Sequence, residues 1–313
     1  MKPSTLSVLP LVYVTTVAAS LSRTTCSKGR TVANAACCVW FNVLDDIQTN
    51  LFERQCGDDA HDALRLSFHD AIGYSPHLGG GGADGSLIQF STTELNYDAN
   101  AGLEDIVDSE RTLADKWGVS YGDMIQFAAT VSVGNCPGGP KISFMAGRPN
   151  ATQAAPDGLV PEAFDSVSTI LARVADAGLT PGDLVALLAS HSVGFQEHVD
   201  PTIPPTPFDL TPSVFDTKFF YDTMFRLGDV WPGSANNKGE VKSPFPREFR
   251  LQSDALLAHD PRTTAYWFEF SLSHSLMANS FATAMAKMAL LGQNSKNLYD
   301  CSDVVPNPVG HIF

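Results

Sequence analysis

Apolar residues recur at helical spacing through residues 31–55, at Val32, Ala36, Val39, Val43, Leu44, Ile47, Leu51 and Phe52. That spacing predicts an amphipathic helix closed by Cys56-Gly57. Asp58-Asp59 opens a second helix, acids being favourable at a helix N-terminus. It runs through Leu64-Arg65-Leu66-Ser67-Phe68-His69-Asp70 with no Gly or Pro until Gly73. Further helices are expected from Gly102, from Tyr121 to Val133, from Ser166 to Asp176 and from Pro181 to Glu197. One or two more cover about Phe268 to Leu291. The Gly/Pro-rich segment 147–165 crosses between lobes. Alternating strand patterns are scarce, so the chain is expected to be mainly α.

The second helix departs from a plain apolar stripe. Residues 58, 62, 65 and 69 step by four, three and four, which puts them on one face. That face carries two carboxylates, a guanidinium and an imidazole, so it fronts a cofactor, a cavity or water. Asp58 and Asp62 are equally explained as acids at a helix start.

Downstream lies Gly79-Gly80-Gly81-Gly82-Ala83-Asp84-Gly85-Ser86. It lacks the Gly-Lys-Ser/Thr of a phosphate cradle. Asp70, Asp84 and Ser86 offer hard oxygens, and glycine frees a carbonyl, placed at Gly82, to turn inward, which suits Ca²⁺. A second histidine sits in Leu187-Leu188-Ala189-Ser190-His191-Ser192-Val193-Gly194. On its own it is a core histidine on an apolar face. It too adjoins a candidate cation ligand, Ser192. Asp209, Thr211 and Asp216, with Ser192 and the carbonyl of Val214, make a second oxygen cage. Asp254 is a lone acid in a mostly apolar context.

Composition narrows the class. The chain has 313 residues, 44% of them apolar, enough for one large domain or two lobes around a shared core. Its net charge of −14 argues against nucleic acid, which requires clustered Lys and Arg. Lys2 precedes a short apolar run, Leu6 to Ala19, expected to be a secretion leader within residues 1–23. No later stretch is long enough to span a membrane. Cys26, Cys37, Cys38, Cys56, Cys136 and Cys301 then suggest three disulfides, and six cysteines allow 15 pairings. None has C-x-x-C spacing, so zinc is not expected. Asn150-Ala151-Thr152 is a glycosylation sequon in a loop.

With these motifs in place, the chain resembles the secreted fungal class II haem peroxidases, the manganese, versatile and lignin peroxidases. The likeness runs from about Thr24 to Pro306. It rests on Arg65 to Asp70, Gly79 to Ser86, Leu188 to Val193, Phe208 to Asp216, and Cys301-Ser302-Asp303-Val304-Val305-Pro306. It implies a two-lobed all-α fold holding haem b, with a distal lobe at 24–165 and a proximal lobe at 166–313. By the same likeness His69 is the distal base, Arg65 its cationic partner, and Phe68 flanks the haem. Asn100 accepts from the far nitrogen of His69, with Glu94 behind it. His191 is the iron ligand and Asp254 its partner. Two Ca²⁺ ions occupy the oxygen cages, and the disulfides are Cys26–Cys38, Cys37–Cys301 and Cys56–Cys136.

The resemblance also frames the choice of reductant. Manganese enzymes bind Mn²⁺ with three acids, and the matching positions are Asp58, Asp62 and Glu197. The family's usual order is Glu, Glu, Asp, so every side-chain length is swapped. The exposed Trp of lignin and versatile enzymes is replaced by Ala186. Trp40, Trp117, Trp231, Trp267 and Tyr266 are the remaining large candidates, and such residues are more often core. The expectation is a secreted monomer that uses H2O2 to oxidise Mn²⁺, whose chelated product attacks phenolic aromatics. The alternative is a generic low-potential peroxidase oxidising small phenols directly at the haem edge. A calcium-stabilised binding protein, or a haem carrier, has no need of the Arg65–His69 pair.

Overall fold

The computed structural model describes residues 23–225 and 237–310. All of the expected leader (residues 1–23) but Arg23, and Trp231, lie outside them.

Six helices build the first half: α1 (Cys38–Asp46), α2 (Asp58–Ala71), α3 (Ser86–Gln89), α4 (Ser91–Glu94), α5 (Glu104–Trp117) and α6 (Tyr121–Asn135). Six build the second: α7 (Val167–Asp176), α8 (Pro181–Leu187), α9 (Lys218–Met224), α10 (Gln252–Leu257), α11 (Thr264–Leu272) and α12 (His274–Met288). Strands occur only as two-residue ribbons among the described residues. These pair β1 (Thr24–Thr25) with β2 (Thr31–Val32), β3 (Met145–Ala146) with β8 (Tyr299–Asp300), β4 (Phe195–Gln196) with β5 (Thr206–Pro207), and β6 (Glu240–Val241) with β7 (Arg250–Leu251). The molecule is all-α.

The centre of the first half is α6 lying against α2. Every residue from Gly122 to Asn135 is buried, which is why this helix shows little amphipathic period. Trp40, Phe127 and Phe144 meet beside it with ring centroids 4.8 Å apart. In the second half Thr180 and Asp183 form a capping box and Pro181 takes the first turn, fixing where α8 begins.

Three boundaries differ from expectation. The 31–55 helix starts only at Cys38 and ends in a π-turn at Ile47–Leu51, because residues 31–32 pair with β1. The helix from Pro181 stops at Leu187. It tightens to a 3₁₀ turn over Leu188–Val193, and residues 195–196 leave to pair with β5. The 268–291 stretch is two helices, split where Ser273 caps α12.

The three disulfides are Cys26–Cys38, Cys37–Cys301 and Cys56–Cys136, the pairing that the family likeness implies. The tail was assigned to the second lobe, and here a correction is needed. Cys301, Val304 and Val305 are buried in the core of the first half. The bond to Cys37 and the β3–β8 ribbon hold them there.

Candidate active site

α2 carries Arg65, Phe68 and His69, all partly exposed although the helix is internal. It packs against the turn that bears His191, also partly exposed. His69 and His191 are thus polar rings left partly exposed on two segments that pack together.

His69 is set by a relay of hydrogen bonds. The amide Nδ2 of Asn100 donates to the backbone carbonyl of Glu94 at 2.9 Å. Its Oδ1 therefore faces His69 and accepts from Nδ1 at 2.9 Å. The proton is fixed on Nδ1, and Nε2 keeps its lone pair. Burial, then the charge of Arg65, push the His69 imidazole down to about 3, against the weaker opposing effect of Asn100. Arg65 donates to the carbonyls of Ala99 (3.1 Å) and Ala101 (3.0 Å), so the loop that positions His69 also positions its cation. Glu94 contributes its backbone carbonyl to Asn100, while its carboxylate accepts from Ala155 N at 2.9 Å. Burial raises that carboxyl to about 7.

On the other side His191 Nδ1 donates to Asp254 Oδ2 at 3.0 Å. Among the described residues the second oxygen of Asp254 is buried without a hydrogen-bond partner. Phe208 and Phe219 box the His191 ring at 4.9 and 5.3 Å. The sequence reading gave neither ring this task. Phe219 lies in a run, Phe219-Phe220-Tyr221, whose facing could not be assigned without the fold.

Parts of both oxygen sets come together in the fold. Asp70 is buried and accepts from Gly85 N (3.0 Å) and Leu87 N (3.3 Å). Burial, with Asp84 adding, raises it well above the carboxylate range. Burial lifts Asp84 itself to about 6. Ser86 N donates to Asp84 at 3.1 Å, and Gly82 takes the left-handed conformation that turns the loop. In the second set, burial and then the neighbouring acids Asp216 and Asp222 raise Asp209 to about 8 despite bonds from Thr211, and its Oδ2 has no hydrogen-bond partner among the described residues. Thr211 N donates to Asp209 (2.7 Å), and Thr211 Oγ1 donates to Asp216 (2.9 Å). Ser192 Oγ donates to Ala189 O at 2.8 Å, and Val214 is in the same loop. None of Asp70, Asp84, Asp209 or Asp216 has a Lys or Arg within 4.0 Å among the described residues. Clustered buried carboxylates without a cationic side chain suit a hard cation.

The three other acids are only partly drawn together. Asp58 and Asp62 share the exposed end of α2. Burial raises Asp62 to about 6, with Arg65 lowering it and Glu197 raising it, so Glu197 stands in the field of both. The oxygens of Asp58, Asp62 and Glu197 do not all come within 4.8 Å of one another. Among the described residues only Cys56, His61 and Cys136 do so, and those cysteines are disulfide-bonded. Glu104 also lies in the field of Arg65, a neighbour the sequence reading did not name. Ala186 is 2% exposed, Trp40 and Trp267 are core, and Tyr266 is 41% exposed. Asn150 is exposed, and its Oδ1 accepts from Tyr121 N at 3.0 Å.

Comparison with known proteins agrees with this geometry. Residues 42–273 match the peroxidase family model, and residues 276–312 match the fungal peroxidase extension region. The chain is 51% identical to a versatile peroxidase of Pleurotus eryngii, covering 91% of this chain and 79% of that protein. It is 50% identical to a ligninase of Phanerodontia chrysosporium, over 91% of this chain and 78% of the relative. It is 47% identical to a manganese peroxidase of the same fungus, over 97% and 83%. Two hydrogen-bonded histidines, an arginine beside one and a carboxylate behind the other thus lie within a family match spanning most of the chain, and the protein belongs to the fungal class II peroxidases, haem-dependent oxidoreductases.

Proposed function

We propose that this peroxidase draws its electrons from Mn²⁺ held by Asp58, Asp62 and Glu197. The supporting observation is Asp62. It sits one turn from Arg65 on the face that carries His69; burial raises its carboxyl to about 6, and Glu197, far along the chain, comes close enough to add to that rise. A divalent cation relieves that mutual repulsion, and carboxylate oxygens suit Mn²⁺. Glu197 is half exposed, so its longer side chain is free to swing toward the shorter Asp62.

His191 would hold the haem iron, and Phe68 and Arg65 would lie beside the group. Bound there, haem supplies the redox chemistry. The residues of this chain manage protons and charge. His69 Nε2 takes a proton from one peroxide oxygen and returns it to the other, and the bond from Nδ1 to Asn100 keeps the ring aimed. Arg65 stabilises the negative charge that develops on oxygen. Asp254 pulls on the Nδ1 proton of His191 and so makes the ring a stronger donor. Asp70, Gly82, Asp84 and Ser86 would hold one Ca²⁺, and Ser192, Asp209, Thr211, Val214 and Asp216 a second, which would tie each histidine's segment to a loop. The protein works outside the cell, a reading supported by its three disulfides and by the lack, among the described residues, of a helix long and apolar enough to cross a membrane.

The open arrangement of the three acids favours a second reading, direct oxidation of small phenols at the haem edge. Steady-state Mn³⁺ formation over a range of Mn²⁺ separates the two. Saturable turnover is expected, and Asp62→Ala should abolish it while sparing phenol oxidation. Equal loss of both activities would sink the assignment.

A further inference from the structure

His61 lies on α2 between Asp58 and Asp62 in sequence, three residues after the first and four before Arg65, so it borders the stripe that carries all three. Its ring stacks on Phe195, with centroids 5.6 Å apart and planes 25° from parallel. Phe195 opens β4, two residues before Glu197. No ordinary hydrogen bond aims the histidine. Its Nδ1 is buried without a hydrogen-bond partner among the described residues, and its Nε2 lies 3.4 Å from Cys56 Sγ, which is bonded to Cys136. What holds the ring is packing against a disulfide sulfur and a phenyl face.

Successive side chains of a strand point to opposite faces. Gln196 is buried and tied to Asp200, its Oε1 accepting from Asp200 N (2.9 Å) and its Nε2 donating to Asp200 O (3.3 Å). Carried one residue past β4, the alternation puts Glu197 on the face of Phe195, the one that meets α2. Glu197 accordingly stands in the field of both Asp62 and Arg65. Just beyond it, the His198 ring lies over Gly102, where an added Cβ would collide with it. The adjoining carbonyl, that of Ala101, accepts from Arg65. Glu197 is therefore fastened on both sides, to α2 through residue 195 and to the Arg65-binding loop through residue 198.

We infer that the His61–Phe195 stack, with His198 over Gly102, positions Glu197 across from Asp58 and Asp62 and so sets the gap that a divalent cation must fill. The inference rests on the Mn²⁺ reading given above. The need for such a device follows from the side-chain lengths. Asp58 and Asp62 are short, and the oxygens of the three acids do not all come within 4.8 Å of one another. The longer, half-exposed Glu197 has to cross the gap, and a side chain on a wandering backbone loses affinity to the entropy of ordering it. Anchoring the backbone at two points leaves the ion only side-chain rotation to fix. Phe195 has no ligand atom to offer, so it acts through Glu197 alone.

The test sets haem-loaded wild type beside Phe195→Leu, His61→Leu and the double variant, with Phe195→Tyr as the control that keeps the ring. Mn²⁺ bound to the resting enzyme is read from the loss of the free-ion EPR signal. Turnover is read separately with Mn²⁺ and with a small phenol. Each leucine should weaken Mn²⁺ binding and raise its KM by about tenfold, with the phenol rate unchanged. The double variant should do no worse than either single one, because both remove the same contact. Tyrosine should behave as wild type. Should the leucine variants fail to fold, His198→Ala, at a half-exposed position, takes their place with the same expected split. Variants that bind Mn²⁺ as wild type does, or that lose phenol and Mn²⁺ turnover together, would overturn the inference. Loss of Mn²⁺ binding confined to Asp62→Ala would then leave the Mn²⁺ reading standing. A wild type without saturable Mn²⁺ binding would take both down.

Discussion

Asn100 decides which nitrogen of His69 is free to act. Replacing it with valine removes the acceptor for Nδ1 and frees the ring to turn. We expect the rate of reaction with H2O2 to fall about a hundredfold in stopped-flow mixing, with haem still bound. The acidity of His69 gives a second test. With burial and Arg65 holding the imidazole down to about 3, the ring stays neutral as pH falls, so the rate should hold until about pH 3 and drop below it. Arg65→Leu removes one cause of the depression, and its acid limb should move to higher pH. The Arg65–His69 pair was legible because four residues of helix put two side chains on one face whatever the fold. The boxing of His191 by Phe208 and Phe219 was not. Nothing in an apolar run tells which ring meets a histidine far away in sequence.

Elements matter here through how they end. α8 gives way to a 3₁₀ turn, which sets His191 and Ser192 on a short rigid segment before Gly194. Periodicity ran through to Glu197 because the apolar residues of that turn mimic helical spacing; the ribbon with β5 overrides it. The glycine run shows the opposite case, a loop whose residues announce its geometry. Gly82 has φ of +72°, and a Cβ there would lie 2.2 Å from the carbonyl of Leu291, so the loop is seated on the turn after α12. If the two oxygen cages hold Ca²⁺, chelation should lower the thermal midpoint. A site held at a hundred times its Kd contributes about 2.7 kcal/mol, so calorimetry with and without chelator should show a large shift that added Ca²⁺ reverses. An unchanged midpoint would mean that protonated carboxyls satisfy these cages alone.

Over the whole molecule, the all-α class and the family were readable because motifs at known spacings cover most of the chain. The place of the tail was not, since Cys301-Ser302-Asp303 carries no periodicity. The likeness implied only the bond to Cys37; the fold shows the tail threading into the first core, where Asp303 also accepts from Ala33 N at 2.9 Å. The Cys37–Cys301 bond closes a loop of 264 residues. Replacing the pair with alanines should cost about 2–5 kcal/mol, read as an earlier unfolding midpoint in denaturant. The timing of assembly follows from the same bond. A chain emerging from the ribosome at roughly 5–20 residues per second must hold Cys37 unpaired until residue 301 is out, a wait of some tens of seconds. Through that wait Cys37 sits beside Cys38 and near Cys26, each able to take it as a wrong partner. Yield of active enzyme should therefore depend on disulfide isomerase more than on haem supply, and shuffled species should be enriched in bonds among the first three cysteines.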